Sequence, residues 1–517
     1  MMTTKILWAD DEIDMLKPQI LFLQQKGYQV TAVSNGYDAV DKCNEDDFDL
    51  VFLDEHMPGI TGLETLTKIK ANHHNIPIVM ITKNEEENIM DDAIGSQIAD
   101  YLIKPVHPNQ ILLSIKKIID NKRLVSEKKS TNYRQQFQQI MMELNNDLDF
   151  DAWAEMYKKL IFWDIELDKS SNAEMREIFE MQKTEANREF FKYVQKNYTK
   201  WLTKPDGFAP TQSHTLFRKK VIPNIDNEAP TFFILIDNLR YDHYRIIETL
   251  LKDRFKKVEE DYFFSILPTT TQYSRNAIFA GLMPSEINKK YPDKWFFDDE
   301  NEGKNLHEDF FMQEQFKRNG IHIKSSYTKI TNHKDGKELE ENILNLMHNT
   351  FNVIVYNFVD MLSHVRTEME VLKEIANDEA AYRSLILSWF EHSPLLHALD
   401  KLKDKKARII LTSDHGTTRV KSPAKVVGDK NTTTNLRYKT GKNLNYNPKE
   451  VFEIKNPDEA FLPKSNISSS YIFAKEDYYF CYPNNYNYYV NFFKNTFQHG
   501  GVSLEEVIVP IAIYETK

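Results

Sequence analysis

The chain has 517 residues, 41% hydrophobic and 12% aromatic against 28% charged, with a formal net charge of −11. That composition excludes a disordered chain, and the acidic balance disfavours duplex-DNA binding through a broad basic face. Two cysteines, Cys43 and Cys481, exclude a disulfide framework and a thiolate cluster, so any metal must be held by Asp, His or hydroxyl oxygen.

Length alone predicts roughly three or four domains. No apolar run approaches the roughly 20 residues that span a bilayer. The start, MMTTKILWADDE, lacks the basic and then apolar layout of a secretory signal. Both observations place the chain in the cytoplasm, without a membrane partner.

Residues 1–122 alternate apolar runs with amphipathic stretches: KILWA, QVTAV, DLVFLD, PIVMIT and DYLIK read as strands, with helical patterns between and after them. Such alternation predicts a parallel sheet with helices on both faces. Over 123–205 the pattern becomes helical, with Phe137, Ile140, Met141 and Leu144, then Trp153, Tyr157, Leu160 and Ile161, at steps of three and four. A helical bundle is expected there, ending at the Pro- and Gly-bearing TKPDGFAPTQ. From 206 to 517 an α/β pattern returns, with strands predicted at TFFILID, FSILPT, FNVIVYNFVD, ARIILTSD and EVIVPIAIY. The polar stretch 417–495 carries Tyr471, Tyr478, Tyr479, Tyr482, Tyr486, Tyr488 and Tyr489. Tyrosines can stack nucleobases, but ordinary packing explains such a set more simply.

Asp10 and Asp11 close the first strand, Asp54 the third and Thr82 the fourth, and Lys104 follows the fifth. In an open parallel sheet these carboxyl-end side chains converge on one crevice. Three carboxylates so close need a hard cation such as Mg²⁺. Asp54 can then attack a phosphoryl donor while Lys104 and Thr82 receive the phosphate. On ADDE, LDEHMPG, MIT and DYLIKP, this segment resembles a response-regulator receiver domain. The resemblance implies Asp54 as phosphoacceptor, Asp11 as a direct Mg²⁺ ligand helped by Asp10, and Thr82 with Tyr101 as the switch pair. Lys83 departs from it, standing where that family usually has a small residue.

A second set of ligand-type residues follows the boundary: Asp237 ends TFFILID, Thr271 lies in LPTTTQYSRN, Asp360 and His364 in NFVDMLSH, Asp414 and His415 in SDHG, and His499 in HGGVSLEEVIVP. Asp360 and His364, four apart, share a helix face. Each element alone has an ordinary explanation as a cap or a core histidine. Together they supply two Zn²⁺ or Mn²⁺ sites with N and O ligands, a clamp suited to displacement at phosphorus. The run LPTTTQYSRN offers three threonines as nucleophile.

DNLRYD, PTTTQYSRN, VDMLSH, SDHG and HGGVSLEEVIVP together resemble the PglZ branch of the alkaline phosphatase superfamily. That resemblance implies two zinc ions, one on Asp237, Thr271, Asp414 and His415 and one on Asp360, His364 and His499, with Thr271 as nucleophile. It leaves Ser274, Arg275 or Asn276 to contact the phosphate, and it finds Asn238 where many relatives have glycine.

A receiver, a helical bundle and a PglZ domain in this order resemble the response regulators associated with type IX secretion. The resemblance implies phosphorylation by a sensor histidine kinase, a homodimer on phosphorylation, and a zinc phosphodiesterase acting on cyclic and linear oligonucleotides. A rival reading keeps the metals structural and makes the chain a phosphorylation-switched scaffold for a regulatory partner such as a sigma factor.

Overall fold

The computed structural model describes residues 4–73, 76–83, 98–169, 173–204, 207–226, 228–297, 305–368, 376, 378–429 and 432–517, with the side chains of 119–132, 134 and 364–368 outside that description. Two compact units divide the chain, Met1–Gln136 and Phe137–Lys517. Among the described residues no helix is long and apolar enough to cross a membrane.

In the first unit the five predicted runs become β1 (Lys5–Ala9), β2 (Gln29–Val33), β3 (Leu50–Asp54), β4 (Ile78–Thr82) and β5 (Asp100–Ile103). They pair in parallel in the order β2-β1-β3-β4-β5. Helices cover both faces, so the central strands are continuously apolar and not alternating. Leu7, Val51, Leu53 and Met80 pack on one side with Leu66 and Ile69 of the helix Gly62–Asn72. Their chain neighbours Trp8, Leu50, Phe52 and Val79 pack on the other with Ile111 and Ile115. Strand order reverses between β1 and β3, which opens a crevice at their carboxyl ends.

The helix Pro108–Leu144 carries the chain across the 136/137 division. Two further helices, Phe150–Asp168 and Ala173–Trp201, pack within the second unit. Their aromatic faces meet its sheet: Trp153 lies 5.3 Å from Phe190, and Phe190 and Trp201 lie 6.0 and 5.6 Å from Phe264 (ring centroids).

The strands of the second unit are β6 (Thr231–Ile236), β7 (Phe255–Phe264), β8 (Ser325–Ile330), β9 (Phe351–Tyr356), β10 (Arg408–Thr412), β11 (Thr418–Arg419), β12 (Ser422–Lys425), β13 (Tyr438–Gly441), β14 (Val451–Ile454), β15 (Ser470–Ala474), β16 (Tyr478–Cys481), β17 (Phe497–Gln498) and β18 (Ile508–Thr516). Its main sheet runs β7-β18-β10-β6-β9-β8. The four strands β10, β6, β9 and β8 are parallel, and β18 and β7 add antiparallel. Small sheets β13-β15-β14, β12-β16 and β11-β17 fill the polar stretch after β10.

One expected strand is not formed. Of FSILPT, only Phe264 belongs to β7, and the amides that follow bond outside any sheet. Ser265 N donates to Val507 O (2.8 Å), Ile266 N to Ser213 Oγ (3.1 Å) and Leu267 N to the Tyr198 hydroxyl (2.8 Å). These three amides are satisfied without a strand partner, which is why an apolar run there needs no ladder.

Candidate active site

In the receiver crevice Asp10 and Asp54 are buried and Asp11 is exposed. One ligand oxygen from each of the three lies within 4.8 Å of the others. Lys104 Nζ reaches both buried acids, 2.8 Å from Asp10 Oδ2 and 3.0 Å from Asp54 Oδ1. Burial pushes the Asp54 carboxyl up, Lys104 offsets part of that, and Asp10 raises it further. Burial works against the Lys104 charge, but the bonds to Asp10 and Asp54 outweigh it and raise its pKa. An oxygen-only cluster beside the Lys104 ammonium suits Mg²⁺ and a transferable phosphoryl group. Thr82 is buried at the end of β4, and Tyr101 is half-buried on the adjacent β5. Lys83 pairs with Glu12 at 3.1 Å on the rim.

In the second unit the predicted residues stand at or just beyond the carboxyl ends of parallel strands. Asp237 directly follows β6, Asp414 and His415 follow β10, and Asp360 lies on the helix Phe358–Glu368 after β9. Ligand atoms of Asp237, Asp414 and His415, all fully or nearly fully buried, lie within 4.8 Å of one another. Thr271 Oγ1 stands 3.2 Å from Asp237 Oδ1 and 3.1 Å from His415 Nε2. His415 Nδ1 lies 3.0 Å from Gly416 O, which fixes the proton on Nδ1 and turns the Nε2 lone pair toward Thr271. Two acceptors, Asp237 Oδ1 and His415 Nε2, therefore face the one Thr271 hydroxyl, which can donate to only one of them at a time.

Electrostatics agree. Burial pushes the Asp237 carboxyl far up, Arg275 offsets part of this, and Asp414 and Asp360 raise it again. Burial holds His415 down at about 4, the neutral form a metal ligand needs. A divalent cation on Asp237, Asp414, His415 and Thr271 would resolve all of these strains.

Asp360 and His499 form the second group. His499 Nδ1 lies 3.2 Å from Thr269 O, and its Nε2 faces Asp360 Oδ1 at 3.5 Å. Burial works against a charge on His499, but its bond to Asp360 outweighs that and raises its pKa. The His499 and His415 rings stack with centroids 4.4 Å apart, bringing the two groups side by side. His364 lies on the same helix as Asp360, and its side chain falls outside the described residues.

Of the three residues expected at the phosphate, two are committed elsewhere. Ser274 Oγ bonds Ser265 Oγ at 2.7 Å. Arg275 is wholly buried; its Nη2 pairs with Asp237 Oδ2, its Nε with Asp414 Oδ2 at 3.0 Å, and its Nη1 with Asn357 Oδ1 at 3.2 Å. The carboxylates thus hold the Arg275 guanidinium, and Ser265 holds the Ser274 hydroxyl. Asn276 is buried at the start of the helix Asn276–Ala280.

Several residues outside the expected ligand set shape the site. Asn238 has φ +63°, the left-handed region that favours glycine and that Asn tolerates best among side-chain-bearing residues. Its amide nitrogen Nδ2 donates to Asp360 Oδ1 (3.2 Å) and its backbone N to Asp414 Oδ1 (3.3 Å), so it ties the two ligand groups together. Glu506, fully buried against Arg437, accepts from Gly501 N at 2.8 Å and so anchors the loop bearing His499. A Cβ at Gly416 would collide with the Glu505 carbonyl, and Glu505 binds Lys183 (3.1 Å) and Asn187 (3.1 Å) of the helix Ala173–Trp201. Long-range partners of this kind leave no local sequence signal; only the adjacent acids in SLEEV hinted at them.

Three family models match the chain: the response regulator receiver domain over 6–116, the PorX response regulator linker domain over 123–202, and the BREX system PglZ alkaline phosphatase-like domain over 216–514. Among curated proteins it is similar to the transcriptional regulatory protein ResD of Bacillus subtilis, 29% identical over 149 residues, covering 29% of this chain and 60% of that one. It is also similar to SrrA of Staphylococcus aureus, 26% identical over 147 residues, covering 28% and 61%. The chain thus spans about three fifths of the length of these relatives. Among solved structures it is similar to a CheY-like receiver domain protein from Methanospirillum hungatei JF-1 (24% identity, TM-score 0.23, 23% of this chain and 96% of that one). A two-component response regulator from Clostridium difficile is 30% identical, with TM-score 0.22 and coverage of 23% and 96%. Because the PglZ model spans more than half of its length, behind a receiver and a PorX-type linker, the chain belongs to the PglZ alkaline phosphatase-like family.

Proposed function

We propose that the chain is a cytoplasmic response regulator whose output is zinc-dependent phosphodiester hydrolysis. One observation carries the reading: Thr271 Oγ1 lies 3.2 Å from Asp237 Oδ1 and 3.1 Å from His415 Nε2, beside the Asp360–His499 group. Two divalent ions, when bound, would acidify the nucleophile and offset charge on the leaving oxygen. Imidazole in both groups favours zinc over magnesium. The chain's own residues do the rest. Thr271 is the nucleophile, Arg275 and Asn238 orient the carboxylates, and the Gly416 carbonyl keeps His415 in the tautomer with a free Nε2.

In the receiver, Asp54 would accept a phosphoryl group from a sensor histidine kinase with Mg²⁺ on Asp10 and Asp11, and Lys104 would bind the incoming phosphate. Cyclic and linear oligonucleotides as substrates, a phosphorylation-promoted homodimer and a role in type IX secretion follow from the PorX-type order of domains.

The test is Thr271→Val in zinc-loaded protein, assayed on bis(p-nitrophenyl) phosphate. Turnover should fall by at least about a thousandfold. Unchanged turnover removes Thr271 as nucleophile. If Thr271→Val also retained signalling that Asp54→Ala abolishes, the scaffold reading would replace this one.

A further inference from the structure

The linker helix Ala173–Trp201 reaches the candidate active site through Lys183 and Asn187, which stand four apart and so share a face. Both hold the short helix Leu504–Val507. The first amides of any helix lack an internal partner. Here Ser503 Oγ accepts from Glu506 N at 3.2 Å, and Asn187 Oδ1 accepts from Leu504 N at 2.8 Å. Asn187 Nδ2 then donates to Glu505 Oε2 at 3.1 Å, and Lys183 Nζ pairs with Glu505 Oε1 at 3.1 Å. Asn187 and Glu505 are buried. Burial works against the Lys183 charge, but Glu505 and Asp164 outweigh it and raise its pKa. A buried polar network satisfied in this way stiffens what it joins.

The same short helix carries both histidine loops. Gly416 N donates to Glu506 O at 3.2 Å, and a Cβ on Gly416 would stand 2.0 Å from the Glu505 carbonyl oxygen, so the two backbones touch. Gly416 O is in turn the partner of His415 Nδ1. Gly501, two residues after His499, donates its N to Glu506 Oε1 at 2.8 Å. One histidine from each candidate ligand group is therefore braced on Leu504–Val507, and Leu504–Val507 is braced on the linker.

We propose that Lys183 and Asn187 are positioning residues for the candidate zinc centre: by holding Glu505 and the Leu504 amide they set the SDHG and HGG loops, which makes the linker helix part of the site's frame as well as a connection. The inference rests on the phosphodiesterase reading for the metal but not for the bracing of the loops.

The experiment compares the full-length chain with Asn187→Leu, Lys183→Met, Lys183→Arg and the control Trp153→Leu, which loosens linker packing on Phe190 but removes none of the Glu505 bonds. In metal-free chains, hydrogen exchange read by mass spectrometry should speed by about tenfold at the Gly416 and Gly501 amides in Asn187→Leu and Lys183→Met, and Lys183→Arg should keep the parent rate. Zinc affinity, measured by competition with a chelator, should fall by about ten- to a hundredfold in the same two variants. It should stay at the parent value in Lys183→Arg and in Trp153→Leu, although the thermal midpoint of Trp153→Leu drops. Should Lys183→Met fail to fold, Asn187→Leu, which removes no charge, carries the test. If the parent binds no zinc but both exchange rates rise, the phosphodiesterase reading fails and the bracing stands. Unchanged exchange at Gly416 and Gly501 overturns the proposal. So does a parent that binds zinc no more tightly than Asn187→Leu, or an equal loss of affinity in Trp153→Leu, which would reduce the role to general packing.

Discussion

Asp10, Asp11 and Asp54 in the receiver, and Asp237, Asp360 and Asp414 in the C-terminal domain, stand at the carboxyl ends of parallel strands, but their charges are met in different ways. In the receiver the neutralising cation is Lys104, 11% exposed, and it bonds Asp54, the proposed phosphoacceptor. Every ligand is oxygen. In the C-terminal domain the permanent cation is the wholly buried Arg275, which takes the Oδ2 atom of Asp237 while Thr271 faces Oδ1. Two stacked histidines complete that site. Under the proposed function, the contrast teaches that a lysine at the mouth would serve a transient phosphoryl group, whereas an arginine behind the carboxylates would leave their front free for resident ions.

The sharpest break of the comparison is a crossed pair of substitutions. Asp54→Asn should abolish labelling by acetyl phosphate and leave bound zinc unchanged by elemental analysis. Asp237→Asn should do the reverse, with diester turnover down on the order of a thousandfold. Loss of both functions from either change would merge the two sites into one.

A smaller effect sharpens the role of Arg275. Arg275→Met leaves Asp237 and Asp414 facing each other without their buried counter-charge, at a cost of about 3–5 kcal/mol in metal-free protein. Zinc should then raise the thermal midpoint more in the variant than in the parent, since the ion replaces the missing charge. An equal rise in both would mean that Arg275 acts elsewhere.

Much of this was legible in sequence, for a definite reason. Parallel strands covered on both faces appear as unbroken apolar runs, and the residue that ends such a run is forced to the crevice. That logic pointed to Thr82 and to Asp10, Asp54, Asp237 and Asp414, whose carboxylates the structure gathers into two clusters. FSILPT misled because a buried segment whose amides bond to side chains has the same apolar signature as a strand. Arg275 was legible as a charged group but not as a carboxylate partner, because its partners are distant in the chain. The left-handed backbone of Asn238 could be sensed only through the glycine of relatives, and its bond to Asp360 not at all.

The smallest effect concerns Lys83. Its pair with Glu12 is exposed on both sides, so Lys83→Ala should change receiver stability by less than about 1 kcal/mol in urea denaturation. A larger loss would show that the rim pair supports the receiver fold.

The most direct measurement is anomalous diffraction at the zinc edge from crystals of the full chain grown with zinc. Two peaks are predicted, one among Asp237, Thr271, Asp414 and His415 and one beside Asp360 and His499. A single peak, or zinc bound away from Thr271, would contradict the account.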